Sequence, residues 1–144
     1  MSIWHSPDFD AANFTRLGGA TMPGHLGMVF TARGEDWVEA TMPVDHRTHQ
    51  PFGRLHGGAS VALAETVASM AGAMTVDPAH KVVVGLEINA NHIRPVRDGL
   101  VTARASAEAI GRTTQIWTIR ITDERGKLVC LSRITLAVIP TQQA

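Results

Sequence analysis

Glu65 is the one charged residue between positions 57 and 76, in a run made of Ala, Gly, Val, Ser, Thr, Met and Leu. An ionised carboxylate in such company is costly unless it is paired or put to use. Paired, it reaches past the helix flank to bond a neighbouring strand. In use, it takes a proton from water or attacks an acyl carbon itself. Ser69 follows four residues later, hence on the same helical face one turn along. Its hydroxyl can hold a water beside the carboxylate or bond back to the helix backbone. Just upstream stand Gln50, His56, Gly57 and Gly58. The two glycines open the helix, where free N–H groups and the positive dipole end favour a developing oxyanion. Gly57 lets a substrate approach the backbone closely. His56 can orient a carbonyl or protonate a leaving group, and Gln50 can donate through its amide.

Gly57 and Glu65 are eight residues apart, which at 1.5 Å per residue is about 12 Å along a helix. Reacting groups must come within roughly 3 Å of the same atoms. If both residues act on one carbonyl, Glu65 must come from a second copy of the chain.

Other polar clusters compete with this one. His46, His49 and His56 lie close in sequence, but with no second ligand cluster and no cysteine beside them the spacing matches no zinc pattern. No metal is expected, and His46 and His49 are read as solvated loop residues. Gly85 interrupts a bulky strand, marking either close approach by a ligand or a simple bulge. His92, Ile93, Arg94 and Pro95 end that strand with a cation. Ala109, Ile110, Gly111, Arg112, Thr113 and Thr114 form a turn offering backbone amides, hydroxyls and a second cation. Arg133 is a further isolated arginine.

These residues need a frame. Residues 8–17 suit a short helix ended by Gly18 and Gly19, and residues 27–44 suit a hairpin turning at Gly34–Asp36. A loop over 45–56 leads to the helix at about 57–75, which residues 77–80 stop. Four strand-like runs follow, at 81–94, 100–110, 114–122 and 127–139, parted by segments with turn chemistry. In the third, Gln115, Trp117, Ile119 and Ile121 alternate with polar residues, as in a half-buried strand. A helix apolar on every face must be wrapped. The expected fold is therefore α+β: a curved antiparallel sheet, ending in a four-stranded meander, around one long helix. One domain, 1–144, accounts for the chain, with 1–24 as an extension that carries no motif.

Composition narrows the function. Thirteen basic and thirteen acidic residues balance, so no global field recruits nucleic acid or an anionic membrane. The apolar run 57–76 is long enough to span a bilayer but carries Glu65 at its middle, and no second span follows. The single Cys130 has no internal disulfide partner and reads as a small buried hydrophobe. Without a signal-like N-terminus, a cytoplasmic protein is expected.

Residues 39–65, with 81–94 and 111–117, resemble the hotdog acyl-CoA thioesterases. The match is to the branch that includes 1,4-dihydroxy-2-naphthoyl-CoA hydrolase and the enterobactin proofreading thioesterase, and it extends over residues 25–139. The resemblance implies hydrolysis of an acyl-CoA, an aromatic one by branch, with no cofactor beyond the coenzyme A of the substrate. It also implies self-association as a dimer of dimers. By position it makes Glu65 nucleophile or general base, sets Gln50 and the Gly57 N–H on the thioester oxygen, has His56 assist at the thioester and leaving thiolate, and has Ser69 position water. Residues 92–95 and 109–114 would flank the CoA, with Gly85 as a point of close approach. Two rival functions share this frame. One is a hotdog dehydratase or hydratase, separated by assaying thiol release against enoyl formation. The other is a non-catalytic acyl-CoA-binding protein, which an intact Glu65 and the lack of a visible output domain disfavour.

Overall fold

The computed structural model describes residues 1–143; Ala144, the last residue of the expected domain, lies outside the described residues. Helix α1 (Ala11–Leu17) begins where the Asp10 carboxylate accepts the Asn13 N–H at 3.0 Å and stops at Gly18. A one-turn helix α2 (Met22–His25), not expected from the sequence, starts at Thr21 with Pro23 in its first turn. Strands β1 (Val29–Arg33) and β2 (Trp37–Pro43) form the expected hairpin. The long helix α3 (Gly57–Met74) follows, then β3 (Lys81–His92), β4 (Leu100–Ile110), β5 (Thr114–Thr122) and β6 (Leu128–Pro140), with a last turn at Thr141–Gln143. Among the described residues no helix is long and apolar enough to cross a membrane.

All six strands form one antiparallel sheet in the order β1-β2-β4-β5-β6-β3. The expected four-stranded meander is thus corrected to three strands, β4-β5-β6. β3 crosses to the far edge and pairs with β6, Gly85 opposite Leu136 and His92 opposite Cys130. The reason is the segment after β3. Residues 93–99 are not a hairpin turn but a crossover held against the loop before α3: Leu55 N–H donates to Val96 O at 2.8 Å, and His49 Nε2 lies 2.8 Å from Arg97 O. His49 is accordingly half-buried in a structural contact, not a solvated loop residue, whereas His46 is exposed.

The concave face of the sheet receives α3. Ala59, Ser60, Leu63, Ala64, Val67, Ala68, Ala71 and Gly72 are buried, the spacing of one helical face. Small side chains let the helix sit close: a Cβ on Gly72 would come within 2.6 Å of Leu136 Cδ1. Against it pack Trp117, Ile119, Ile121, Ile134 and Leu136, all fully buried. The other face, with Val61, Glu65, Thr66, Ser69 and Met70, is only half-buried. Wrapping on every side, expected from composition, therefore occurs on one side only within a single chain.

Residues 1–24 close the C-terminal end of α3. Trp4 stacks on Trp117 with ring centroids 6.3 Å apart and donates its indole N–H to Gly34 O at 2.7 Å. The next residue, His5, donates its backbone N–H to Met74 O at 2.9 Å. The guanidinium of Arg33 lies 5.1 Å from the Trp4 ring centre, a cation–π contact that clamps the segment down.

Candidate active site

The loop before α3 is rigid for identifiable reasons. Thr48 is buried and donates its hydroxyl to Pro43 O at 2.7 Å, while its own carbonyl accepts the His56 N–H at 2.8 Å. Arg47 binds Asp45 at 2.7 Å, and that guanidinium bond holds the half-buried Asp45 carboxyl down at about 2. This scaffold sets His56 at the cap of α3, where its Nδ1 accepts the Gly58 N–H at 2.7 Å. With Nδ1 an acceptor, the neutral ring carries its hydrogen on Nε2, on an exposed side chain. The Ala59 and Ser60 N–H groups turn back to His56 O at 3.0 and 3.2 Å. The Gly57 N–H finds no acceptor among the described residues.

Gln50 is oriented in the same way. Its Oε1 accepts the N–H groups of Phe52 at 2.5 Å and Arg54 at 3.5 Å, which leaves the amide NH2 unspent. Gln50 and Gly57 line one cavity of about 350 Å³, together with Ser60, His92, Ile93 and Arg94. The cavity therefore holds two free neutral donors at a helix N-terminus, the environment that stabilises an oxyanion. The missing side chain of Gly57 makes room for the His92 ring, since a Cβ there would lie 2.8 Å from Nε2.

Glu65 is half-buried and forms no hydrogen bond or ion pair with another described residue, so the strand-bonding alternative is not what the fold uses. Its carboxylate fills the space a side chain would take at Gly85, where a Cβ would meet Oε2 at 2.8 Å. The strand bulges there, between Gly85 and Glu87. Gly85 is thus both bulge and point of close approach, and in this chain the approaching group is Glu65. The Ser69 hydroxyl likewise has no partner among the described residues, so it does not bond back to the helix. Neither Glu65 nor Ser69 lines the Gln50–Gly57 cavity. One chain therefore holds the two halves of the expected site apart, as the length of the helix requires.

The two expected flanking segments are separated too. Ile93, Arg94 and Pro95 border the cavity, with Arg94 and Pro95 also lining an adjoining groove of about 700 Å³. The turn holding Ala109, Ile110, Gly111, Arg112, Thr113 and Thr114 is exposed and lies at the opposite end of the sheet. On β6, the partner of His92 is Cys130 and that of Thr114 is Ala137, seven residues on. At about 3.3 Å per residue that is roughly 23 Å. Arg133 borders a separate polar cleft with Asn89 and Asn91.

Sequence reasoning missed Arg54, Leu55, Ser60 and Val129 as lining residues. Ser60 was within reach, three residues from Gly57 on the same helical face. Arg54 and Leu55 lie in the loop between Gln50 and His56, and Val129 is brought in by β6. Cys130 is buried, and burial pushes its thiol up from the ordinary value, fitting a packing role. Among the described residues no three His, Cys, Asp or Glu side chains converge as metal ligands would.

The Thioesterase superfamily profile matches residues 52–130. The proofreading thioesterase EntH of Cronobacter sakazakii is 52% identical over 130 residues, covering 90% of this chain and 93% of that one. The 1,4-dihydroxy-2-naphthoyl-CoA hydrolase of Escherichia coli is 50% identical over 123 residues, covering 85% and 90%. A crystal structure of a thioesterase from Haemophilus influenzae superposes with a TM-score of 0.93 at 55% identity, covering 96% of each chain. Matched by that profile over more than half its length and by relatives of about half identity, the chain belongs to the Thioesterase superfamily and is a thioester hydrolase of the hotdog fold.

Proposed function

We propose that the substrate is an aromatic acyl-CoA and that each site is built by two chains. The observation that carries this reading is the division just described: two unspent donors in one cavity, and an unpartnered carboxylate beyond their reach on the same helix. In the proposed site the thioester oxygen lies between the Gly57 N–H and the Gln50 amide, and the partner's Glu65 approaches the carbonyl carbon. As a base, Glu65 takes a proton from water held by Ser69, and the hydroxide adds to the carbon. As a nucleophile, it forms an acyl-carboxylate anhydride that water then cleaves. Either way charge moves onto the oxygen, where the two donors hold it. On the base route the adduct collapses to acid and thiolate, and on the nucleophile route to anhydride and thiolate. The His56 Nε2–H hydrogen-bonds the leaving sulfur, and the proton that ends on the thiol is the one water gives up.

The second chain has an obvious place to dock. β3 is a twelve-residue edge strand whose Val84 and Leu86 are 40% and 61% exposed, and long apolar edges are normally covered. Antiparallel pairing of two β3 strands would set the far end of one sheet beside the near end of the other. The partner's Arg112 turn would then flank a CoA whose thioester enters past Arg94. Pairing of two such dimers gives the tetramer expected from the resemblance. The scheme uses no metal or redox cofactor, and a cytoplasmic location suits both a CoA substrate and the single buried Cys130.

The aromatic assignment rests on the relatives' names, since one is called a 1,4-dihydroxy-2-naphthoyl-CoA hydrolase. A panel of aromatic, short-alkyl and long-alkyl CoA thioesters, followed by thiol release, tests it. We expect the highest kcat/KM on an aromatic member; a clear preference for an alkyl chain overturns the assignment and leaves hydrolysis intact.

A further inference from the structure

Four polar residues are buried among the described residues: Thr48, Ser60, Gln115 and Ser132. Buried polar groups are nearly always hydrogen-bonded, and an exception calls for a reason. Thr48 donates to Pro43 O, Gln115 donates to Thr75 Oγ1 and accepts from Trp117, and Ser132 donates to Asn89 O at 2.8 Å. Ser60 is the exception. Only 2% of it is exposed, and its hydroxyl has no partner among the described residues. A helical hydroxyl often bonds back to the carbonyl four residues before it. Thr66 does so to Ala62 O at 2.7 Å, and Thr15 to Ala11 O at 3.0 Å. The matching carbonyl for Ser60 is that of His56, which takes the backbone N–H groups of Ala59 and Ser60 instead. No side-chain oxygen sealed from the surface goes without a partner among the described residues. The Ser60 oxygen is therefore open, and it opens on the cavity that Ser60 lines with Gln50 and Gly57.

Helix geometry aims this hydroxyl. The Cα–Cβ bonds of an α-helix tilt toward its N-terminus, so a side chain covers the turn before its own. For Ser60 that is the turn that Gly57 opens. A hydroxyl hydrogen rotates to suit its acceptor, and the cavity's other free neutral groups, the Gly57 N–H and the Gln50 NH2, are donors. We propose that Ser60 is a third catalytic donor, its hydroxyl bonding the thioester oxygen beside Gly57 and Gln50 and tightening as charge moves onto that oxygen. The assignment rests on the oxyanion site proposed above and adds a residue to it. A partner within the chain would tie down the hydrogen that the oxyanion needs. Left unpaired, the buried hydroxyl destabilises the free protein; with substrate bound, it stabilises the transition state.

Those two effects differ in sign, and the test reads both. Ser60→Ala removes an unsatisfied group, so its thermal midpoint should rise or stay unmoved. On the preferred member of the CoA thioester panel its kcat should fall at least about tenfold, toward the ~10²-fold of a lost oxyanion donor, with KM little changed. Ser60→Cys, similar in shape but a weak donor, should lose nearly as much. Ser60→Thr keeps the hydroxyl and should retain most of the rate. A packing role predicts the reverse, lost stability with kcat kept per folded molecule, and that result overturns the proposal. So does a Ser60→Thr enzyme no faster than Ser60→Cys. Should Ser60→Ala fail to fold, this last pair carries the comparison. Gln50→Ala separates the inference from the reading beneath it. If Gln50→Ala slows hydrolysis and Ser60→Ala does not, the oxyanion site stands and Ser60 is outside it. If Gln50→Ala leaves kcat intact as well, the oxyanion site falls and takes this assignment with it.

Discussion

The two ends of helix α3 are built on opposite rules. At the C-terminal end the polar side chains are spent on one another. Trp117 donates its indole N–H to Gln115 Oε1 at 2.9 Å, the Gln115 amide donates to Thr75 Oγ1 at 2.8 Å, and Thr75 donates to Gly72 O at 2.7 Å. Trp4 then lies over Trp117 and shields the relay. At the N-terminal end the Gly57 N–H and the Gln50 amide are held rigidly and left without partners. A buried polar network satisfied within the chain fixes a helix in register; oriented donors left open to a cavity are available to a substrate. The same helix is anchored at one end so that it can be reactive at the other.

Lesions should sort accordingly, those at the reactive groups costing rate and those at the anchored end of α3 costing stability. The largest effect is expected at Glu65, whose Glu65→Gln form keeps size and loses charge. Thiol release should drop at least ~10³-fold, as for an essential base or nucleophile, with the thermal midpoint nearly unmoved. Near-normal turnover by the folded variant would remove Glu65 from the chemistry. A smaller loss is expected for Gly85→Ala, which puts a Cβ 2.8 Å from the Glu65 carboxylate. Displacing that group by an ångström should cost about 10²-fold in kcat. If kcat holds, the glycine serves the bulge alone. At the other end the pattern inverts. Gln115→Ala strands the buried Trp117 N–H and should destabilise the fold by about 2 kcal/mol, read by denaturant unfolding. Thiol release per folded molecule should stay close to wild type; a large rate loss there would break the contrast.

The long helix, its start at Gly57 and the strand at Thr114–Thr122 were all legible in the sequence, because each depends on a periodic pattern or a local capping signal. The lone Glu65 and the paired glycines were legible for a similar reason, being chemically out of place in their own segment. The position of β3 was not. Strand pairing after Asn91 depends on whether residues 93–99 turn back or cross over, and that is decided by contacts with His49 and Leu55, some forty residues upstream. The groove adjoining the cavity was hidden for the same reason, since Arg97 and Lys127 on its border come together only through the crossover and the β5–β6 hairpin. Gln115 stood in the alternating pattern as one more buried position. Its role needed Thr75 and Trp117, which lie on two different elements.

The central claim is that two chains complete one site, and subunit mixing tests it most directly. A His56→Ala chain keeps Glu65, and a Glu65→Ala chain keeps His56, so each pure homodimer has two broken sites and should be nearly inactive. A mixed dimer gathers both lesions into one site and rebuilds the other intact. Random reassembly makes about half the dimers mixed, so co-refolding equal amounts should restore thiol release to roughly one quarter of wild type. Verified mixed dimers that stay as inactive as their parents would contradict the account.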